Sequence, residues 1–242
     1  MLNRATQEAL AKRYASRSTH DSLKKAFDLS VVDALNQKSS PEGEAHSAVV
    51  FIDIAGFSQS VFGFSVAKTR AFLDDFYAVA VPEIYNRSGH IDRIVGDGIV
   101  AIFSSFLPGG VTDSDASVRA LGTVEAIVQR LHGTAHHSKA ALVDGTLLFC
   151  RTGLTDIYED YTVIGSALTT AYRIEAIGKA NEIIFPAQSN TGQHVDQQVA
   201  QRNRYESAGL DVPSVLWSVS SRKSVVLRGI GSMDLTVQTY CP

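Results

Sequence analysis

Apolar residues recur along this chain at a spacing that changes several times, and the changes predict an order of strands and helices. Runs rich in β-branched and aromatic residues predict strands at about 47–54, 91–95, 99–103, 138–151, 160–164 and 182–185. Apolar residues at helical spacing predict helices at 67–87, 112–131, 166–177 and 187–203. The last third adds strands near 215–219, 223–228 and 235–240. Strands that alternate with helices indicate an α+β or α/β fold, with helices packed against a sheet.

The first 45 residues stand apart from this alternation. Leu23, Ala26 and Leu29 are among the apolar residues that recur there at helical spacing, which predicts one or two helices. A polar stretch at 36–43, rich in Ser, Pro and Gly, is typical of a linker. The sequence therefore predicts a helical N-terminal segment over residues 1–45 and a single main domain over residues 46–242.

Composition narrows the class of protein. The 242 residues are 45% hydrophobic, enough for one sizeable domain with an appendage or for two small domains. A net charge of −3 gives no basic field for nucleic acid. The apolar runs are far too short to span a bilayer, and the first residues lack the apolar stretch of a signal peptide. With only two cysteines, we expect a soluble, reduced, cytoplasmic protein that binds neither nucleic acid nor membrane.

Two aspartates in strand settings carry the candidate chemistry. Asp53 lies within the mostly apolar segment Val49–Phe57, and Asp97 lies between two glycines that separate two short apolar runs. Taken singly, Asp97 is typical of a hairpin turn and Asp53 of a strand-end carboxylate that caps the next segment. Brought together, the two carboxylates would repel each other, and divalent metal ions would relieve that repulsion. Paired aspartates that hold two Mg²⁺ ions are a common way to displace a group at phosphorus.

A third segment completes a recognisable set. Asp160–Gly165 is followed by Ser166–Glu175, which reads SALTTAYRIE. With the two aspartate segments, it resembles the catalytic domain of class III nucleotidyl cyclases, from about residue 46 to the C-terminus. The resemblance implies a ferredoxin-like palm core, a mostly antiparallel sheet with flanking helices that works as a head-to-tail homodimer.

The resemblance also implies roles for residues near the phosphates. Asp53 and Asp97, with the backbone carbonyl of Ile54, would hold two divalent cations, Mg²⁺ or Mn²⁺. Backbone amides around Gly56 and Phe57 lie where the family cradles phosphates.

Other expected roles concern the transition state and the ribose. Arg173 matches the arginine that stabilises the pentavalent transition state, although it could instead be a solvated helix charge or pair with Glu175. Thr169 shares its helix face and stands where the family usually has the asparagine that orients the ribose. Arg228 matches the position of a triphosphate-binding lysine, and a solvated turn arginine is the open alternative.

Base selection is expected from Arg93, four residues before Asp97, where adenylyl cyclases have lysine. Its partner position is Thr162, and Phe51 is either a wall of the base pocket or an ordinary core residue. An arginine offers five donors and no acceptor, and it leaves less room than lysine. Uracil presents two carbonyl acceptors, whereas adenine and cytosine present an amine. Size and donor pattern therefore favour UTP.

Arginine at this position resembles the pyrimidine cyclases of bacterial Pycsar anti-phage systems. That resemblance implies an enzyme that converts UTP to 3′,5′-cyclic UMP and pyrophosphate, with the product read by a separate effector. An adenylate cyclase in which Arg93 replaces lysine is the first alternative. A catalytically silent nucleotide-binding module is the second, and Thr169 in place of asparagine favours it.

Overall fold

A computed structural model of the chain describes residues 42–107, 109–154, 158–208 and 216–242, with the side chains of 153–161 left aside. Its strands are β1 (Gly43–Ile54), β2 (His90–Val95), β3 (Gly98–Ser104), β4 (Ser138–Leu154), β5 (Tyr158–Ile164), β6 (Glu182–Pro186), β7 (Trp217–Leu227) and β8 (Gly231–Tyr240). Its helices are α1 (Phe57–Ser60), α2 (Val66–Asn86), α3 (Asp113–Leu131), α4 (Ser166–Glu175) and α5 (Asn190–Ser207). The predicted N-terminal helical segment lies outside the described residues.

The strands form one eight-stranded sheet. Seven of them follow the order β2-β3-β1-β4-β6-β8-β7, and the eighth, β5, pairs with the C-terminal part of β4. Every pairing is antiparallel except that between β4 and β6. Helices flank this sheet on both faces, so the expected α+β fold with a mostly antiparallel sheet is confirmed. None of the helices in the described ranges is long and apolar enough to cross a membrane.

Strand β1 lies at the centre of the core. Its residues Ala48–Ile54 are apolar on both faces apart from Asp53, and all but Asp53 are buried. Val50, Ile52 and Ile54 pack with α2 and α3 on one side, and Val49 and Phe51 pack with α4 on the other. A strand covered on both faces reads as a continuous apolar run, which is why the sequence shows it clearly. A carboxylate in that run is consequently confined near the core.

Most helix and strand predictions are confirmed within a few residues, and only the prediction of two separate strands in the region of β7 is wrong. The helix predicted at 187–203 begins at Asn190, because the Ser189 hydroxyl accepts a hydrogen bond from the Gly192 amide and caps it there. The strands predicted at 215–219 and 223–228 are one strand, β7, whose pairing with β8 shifts register between Arg222 and Val225. The polar residues inside β7 hide its continuity from a reading of periodicity.

Candidate active site

The two predicted metal ligands come together at the end of β1. Asp53 is the penultimate residue of β1, and Asp97 lies in the tight turn that joins β2 to β3. Because β3 pairs with β1 and Ile99 lies opposite Ile52, the turn reaches the level of Asp53. The two carboxyl groups lie within hydrogen-bonding reach of each other. Two acidic side chains far apart in sequence thus share one small volume.

Neighbouring residues fix the turn that carries Asp97. Gly96 has φ of 63°, a left-handed conformation that favours glycine. The Tyr77 hydroxyl of α2 donates a hydrogen bond to the Gly96 carbonyl at 2.5 Å. A side chain at Gly98 would collide with the ring of Phe51, which packs directly against that glycine. The turn therefore has little freedom to move Asp97 away from Asp53.

Burial and negative neighbours dominate the electrostatics of Asp53. Burial, then the hydrogen bond and charge of Asp97, then Glu175 raise the pKa of Asp53 to about 8. A shift of this direction and size means that the site lacks enough positive charge for its carboxylates. Perturbed acids of this kind cluster at functional sites.

Lys139 and Glu175 complete the cluster, and sequence reasoning did not predict a site role for either. Lys139 lies opposite Asp53 in the β1–β4 pairing. Its Nζ lies 2.7 Å from Glu175 Oε1 and 3.8 Å from Asp53 Oδ2. One lysine therefore lies beside two of the three acids of the cluster, Glu175 and Asp53. The only signal that could have found it was the strand register, which the sequence does not contain.

Helix α4 turns its charged residues in two directions. Glu175 is 7% exposed and faces the cluster, while Arg173 and Thr169 are exposed. Residues two apart on a helix lie on nearly opposite sides, whereas residues four apart share a face. Within the described part of the chain, Arg173 makes no ion pair, and the alternative pairing with Glu175 is not seen because Glu175 contacts Lys139. The Arg173 guanidinium is therefore available to bind a group that lies outside the core of its own chain.

The donor set of the cluster fits a divalent cation. The carboxylates of Asp53 and Asp97 are hard oxygen ligands held side by side, and the raised pKa of Asp53 shows that a cation would relieve their repulsion. Ile54, whose carbonyl the resemblance assigns to the metal, is the next residue and ends β1. No set of three His, Cys, Asp or Glu side chains in the described ranges is arranged around a common point for a metal. Further ligands would have to come from backbone, water or substrate.

Arg93 lies on the exposed side of β2, four residues before Asp97. Its Nε donates to Asp92 Oδ2 at 2.6 Å, and this hydrogen bond is the main cause that raises the pKa of Arg93. Tyr172 of α4 lies close enough to add to that rise, and its ring meets the ring of Phe51 edge-on at 4.6 Å between centroids. Phe51 itself is 8% exposed and belongs to the core, so Tyr172 is the more accessible aromatic residue.

The remaining predicted residues lie on separate elements. Thr162 is on β5, half-buried and paired with Cys150 of β4. Gly56, with φ of 74°, precedes α1, and Phe57 begins it and packs against the core. Arg228 is exposed just after β7. Their roles toward phosphate, ribose or base stay predictions.

Comparisons with sequences give a partial match. No protein-family model matches the chain. The uncharacterized protein Rv1320c of Mycobacterium tuberculosis is 30% identical over 150 residues, which are 61% of this chain and 26% of that protein. The uncharacterized protein Mb1353c of Mycobacterium bovis is 29% identical over 150 residues, 61% of this chain and 27% of that protein. The chain thus spans about a quarter of the length of the curated relatives it matches.

Comparisons with solved structures identify the fold. The adenylyl cyclase CyaB of P. aeruginosa superimposes with a TM-score of 0.64 at 17% identity, over 84% of this chain and 97% of that one. The guanylate cyclase domain of RhGC from Catenaria anguillulae, solved in complex with GTP, gives a TM-score of 0.60 at 18% identity, over 83% of this chain and 100% of that one. The guanylyl cyclase Cya2 gives 0.57 at 17% identity, over 82% and 93%. The fold of this chain is that of adenylyl and guanylyl cyclase catalytic domains, as the sequence resemblance implied.

Proposed function

We propose that this chain is a nucleotide cyclase that converts a nucleoside triphosphate to its 3′,5′-cyclic monophosphate and pyrophosphate. The observation that carries the proposal is the pairing of Asp53 with Asp97 on a cyclase fold, in a cluster short of positive charge. A half-buried pair of acids costs stability when no cation is bound, so such pairs are typical of functional sites. Two divalent cations on this pair, Mg²⁺ or Mn²⁺, would lower the pKa of the ribose 3′-hydroxyl and offset charge on the phosphate oxygens.

The proposed reaction forms one bond and breaks one. The ribose O3′ attacks the α-phosphorus, the bond from that phosphorus to the α–β bridging oxygen breaks, and pyrophosphate leaves. The hydroxyl proton passes to solvent or to the leaving group. Arg173 offers donors to the charge that develops on the phosphoryl oxygens, and Lys139 keeps a positive charge beside Asp53. Backbone amides around Gly56 and Phe57, with Arg228, are proposed to hold the triphosphate.

The direction of Arg173 supports a site shared between two copies of the chain. Glu175 faces the Asp53 cluster of its own chain, and Arg173 on the same helix faces solvent. Arg173 would therefore act on a substrate held by the aspartates of a second copy, together with Thr169, Arg93 and Thr162. A symmetric homodimer of this kind has two equivalent composite sites. A guanylyl cyclase domain of Blastocladiella emersonii, of the same fold, is described as a non-canonical dimer.

We further propose UTP as the preferred substrate. Arg93 is exposed and carries donors only, which suits the two carbonyl oxygens of uracil better than the amine of adenine or cytosine. Cyclic UMP would then be a second messenger in bacterial anti-phage defence, read by a separate effector, as the Pycsar resemblance implies. ATP is the competing substrate if Arg93 merely replaces the usual lysine.

The test is to incubate the purified chain with Mn²⁺ and ATP, GTP, CTP or UTP, and to identify the products by mass. Cyclic UMP as the main product is expected. Cyclic AMP as the main product would overturn the pyrimidine preference and leave the cyclase proposal standing. No cyclic product from any nucleotide would reject the enzyme and favour a silent nucleotide-binding module.

The shared site has its own test. Variants Asp53→Ala and Arg173→Ala are each expected to be inactive. An equal mixture should recover up to about a quarter of the activity of the same amount of wild type, because about half of the dimers are mixed and each mixed dimer keeps one of its two sites intact. Exchange of subunits is verified with two differently tagged copies. Exchange without recovered activity would contradict the shared site.

A further inference from the structure

The contact between Asp92 and Arg93 is geometrically unusual. Successive residues of a strand point to opposite faces of the sheet, so neighbours rarely touch. Here Arg93 Nε lies 2.6 Å from Asp92 Oδ2. The contact coincides with a break in pairing, since Ile91 lies opposite Ala101 and Arg93 lies opposite Val100. Asp92 is thus the extra residue of a β-bulge, and bulges re-aim side chains next to functional sites.

The two side chains differ in exposure. The Asp92 side chain is 10% exposed, whereas the Arg93 side chain is 47% exposed. Asp92 is thus fixed against the protein while the outer part of Arg93 reaches solvent. An ion pair whose arginine is half exposed to solvent adds little to folding stability, on the order of 1 kcal/mol. So small a gain in stability does not account for a bulge that brings the two residues together. The main consequence of the contact is that it orients the Arg93 side chain.

The atoms involved decide which donors remain for a ligand. Arginine has one N–H on Nε and four on its two terminal nitrogens. Asp92 takes the Nε position, so the terminal nitrogens form the outward end of the guanidinium. A group held in this way presents donors only, in a fixed direction, to a base edge that offers carbonyl oxygens.

We propose that Asp92 is a positioning residue that sets base selection by holding Arg93 through Nε. This inference rests on the proposed cyclase function and on the role of Arg93 within it. Loss of Asp92 leaves Arg93 in place but free to adopt several rotamers, which nucleotide binding must then order. Ordering one such side chain lowers affinity about two- to tenfold. The loss of affinity should be largest for the nucleotide whose base Arg93 recognises best, and the rate of the chemical step should not change.

The experiment compares kcat and KM for UTP, CTP and ATP in the wild type and the variants Asp92→Ala and Asp92→Asn. Asp92→Ala should raise KM for UTP about two- to tenfold, change kcat by less than about twofold, and narrow the preference for UTP over CTP. Asp92→Asn keeps an acceptor oxygen without the charge, so its KM for UTP should lie between the values for the wild type and Asp92→Ala. Glu206→Gln is the matched control, since Glu206 Oε1 accepts from Arg202 Nε at 2.7 Å on exposed α5.

Other outcomes separate failure of this inference from failure of the proposed function. An unchanged base preference in Asp92→Ala, with a changed preference in Arg93→Ala, would overturn the role of Asp92 alone. An equal loss of kcat for all nucleotides with a lowered melting temperature would mean a purely structural role and also overturn it. If the wild type makes no cyclic product, the role of Asp92 is tested by binding instead, with UTP affinity measured by calorimetry in the presence of Ca²⁺. Equal affinity in wild type and Asp92→Ala would reject the inference.

Discussion

Replacing Lys139 by methionine tests whether the acidic cluster depends on its single lysine. Methionine keeps a similar length without the charge. In the native chain, Lys139 Nζ lies 2.7 Å from Glu175 and 3.8 Å from Asp53. The Lys139 and Glu175 side chains are only 16% and 8% exposed. The variant therefore leaves a nearly buried carboxylate without its cation.

The magnitude follows from that burial. Removing one partner of a buried ion pair costs about 3–5 kcal/mol, because the other charge stays buried without compensation. Glu175 can lessen the cost by taking up a proton, so we expect the lower end, about 3 kcal/mol for Lys139→Met. For a chain of this size, that corresponds to a fall in melting temperature of about 6–12 °C.

The assay is thermal unfolding followed by circular dichroism at neutral pH without divalent cations. The wild type, Lys139→Met, Glu175→Gln and the double variant form a double-mutant cycle. We expect the double variant to lose less than the sum of the single losses, by about 1–2 kcal/mol, because neither charge is then left alone. Additivity within about 0.5 kcal/mol would refute the view that the two residues are energetically coupled.

Three further predictions concern the surroundings of the cluster. Asp97→Asn removes a hydrogen bond and a charge that raise the pKa of Asp53, so carboxyl NMR titration of the metal-free protein should show that pKa below about 8, and an unchanged value would contradict the pairing. Tyr77→Phe removes the hydrogen bond to Gly96 and should cost about 1 kcal/mol in unfolding and weaken Mn²⁺ binding measured by calorimetry; unchanged binding would show that the turn is fixed without it. Burial raises the pKa of Glu125 in the folded protein. The folded state therefore loses stability as the pH rises above the pKa that Glu125 has in the unfolded chain. Glu125→Gln should therefore raise the melting temperature at pH 8 relative to wild type but not at pH 4, and the reverse dependence would be inconsistent with that shift.

Local signals explain why the sequence predicts the aspartate pair. Asp53 interrupts an apolar strand and Asp97 lies between glycines, so each is visible within a window of a few residues. Their meeting in space follows once the two runs are recognised as strands of one sheet. The structure confirms those strands and the fold, and it places both carboxylates side by side.

Long-range register explains what the sequence could not show. Lys139 is the second residue of an otherwise ordinary strand, β4, and only its pairing opposite Asp53 brings it to the cluster. Asp92 reads as a polar residue of an alternating strand, and only the bulge turns it toward Arg93. Pairing partners and bulges depend on strands distant in the chain, so single-sequence periodicity carries no information on them.

Strand β7, which joins two predicted strands into one, also forms an outer boundary of the sheet. Such a boundary exposes unpaired backbone groups that can recruit strands from other molecules and lead to aggregation. The exposed serines of β7, the charge of Lys223 and the irregular pairing near Ser224, whose φ is 49°, all oppose such recruitment. The polar residues that conceal β7 from sequence patterns thus have a physical use, because they keep a cyclase-like sheet from growing beyond its own chain.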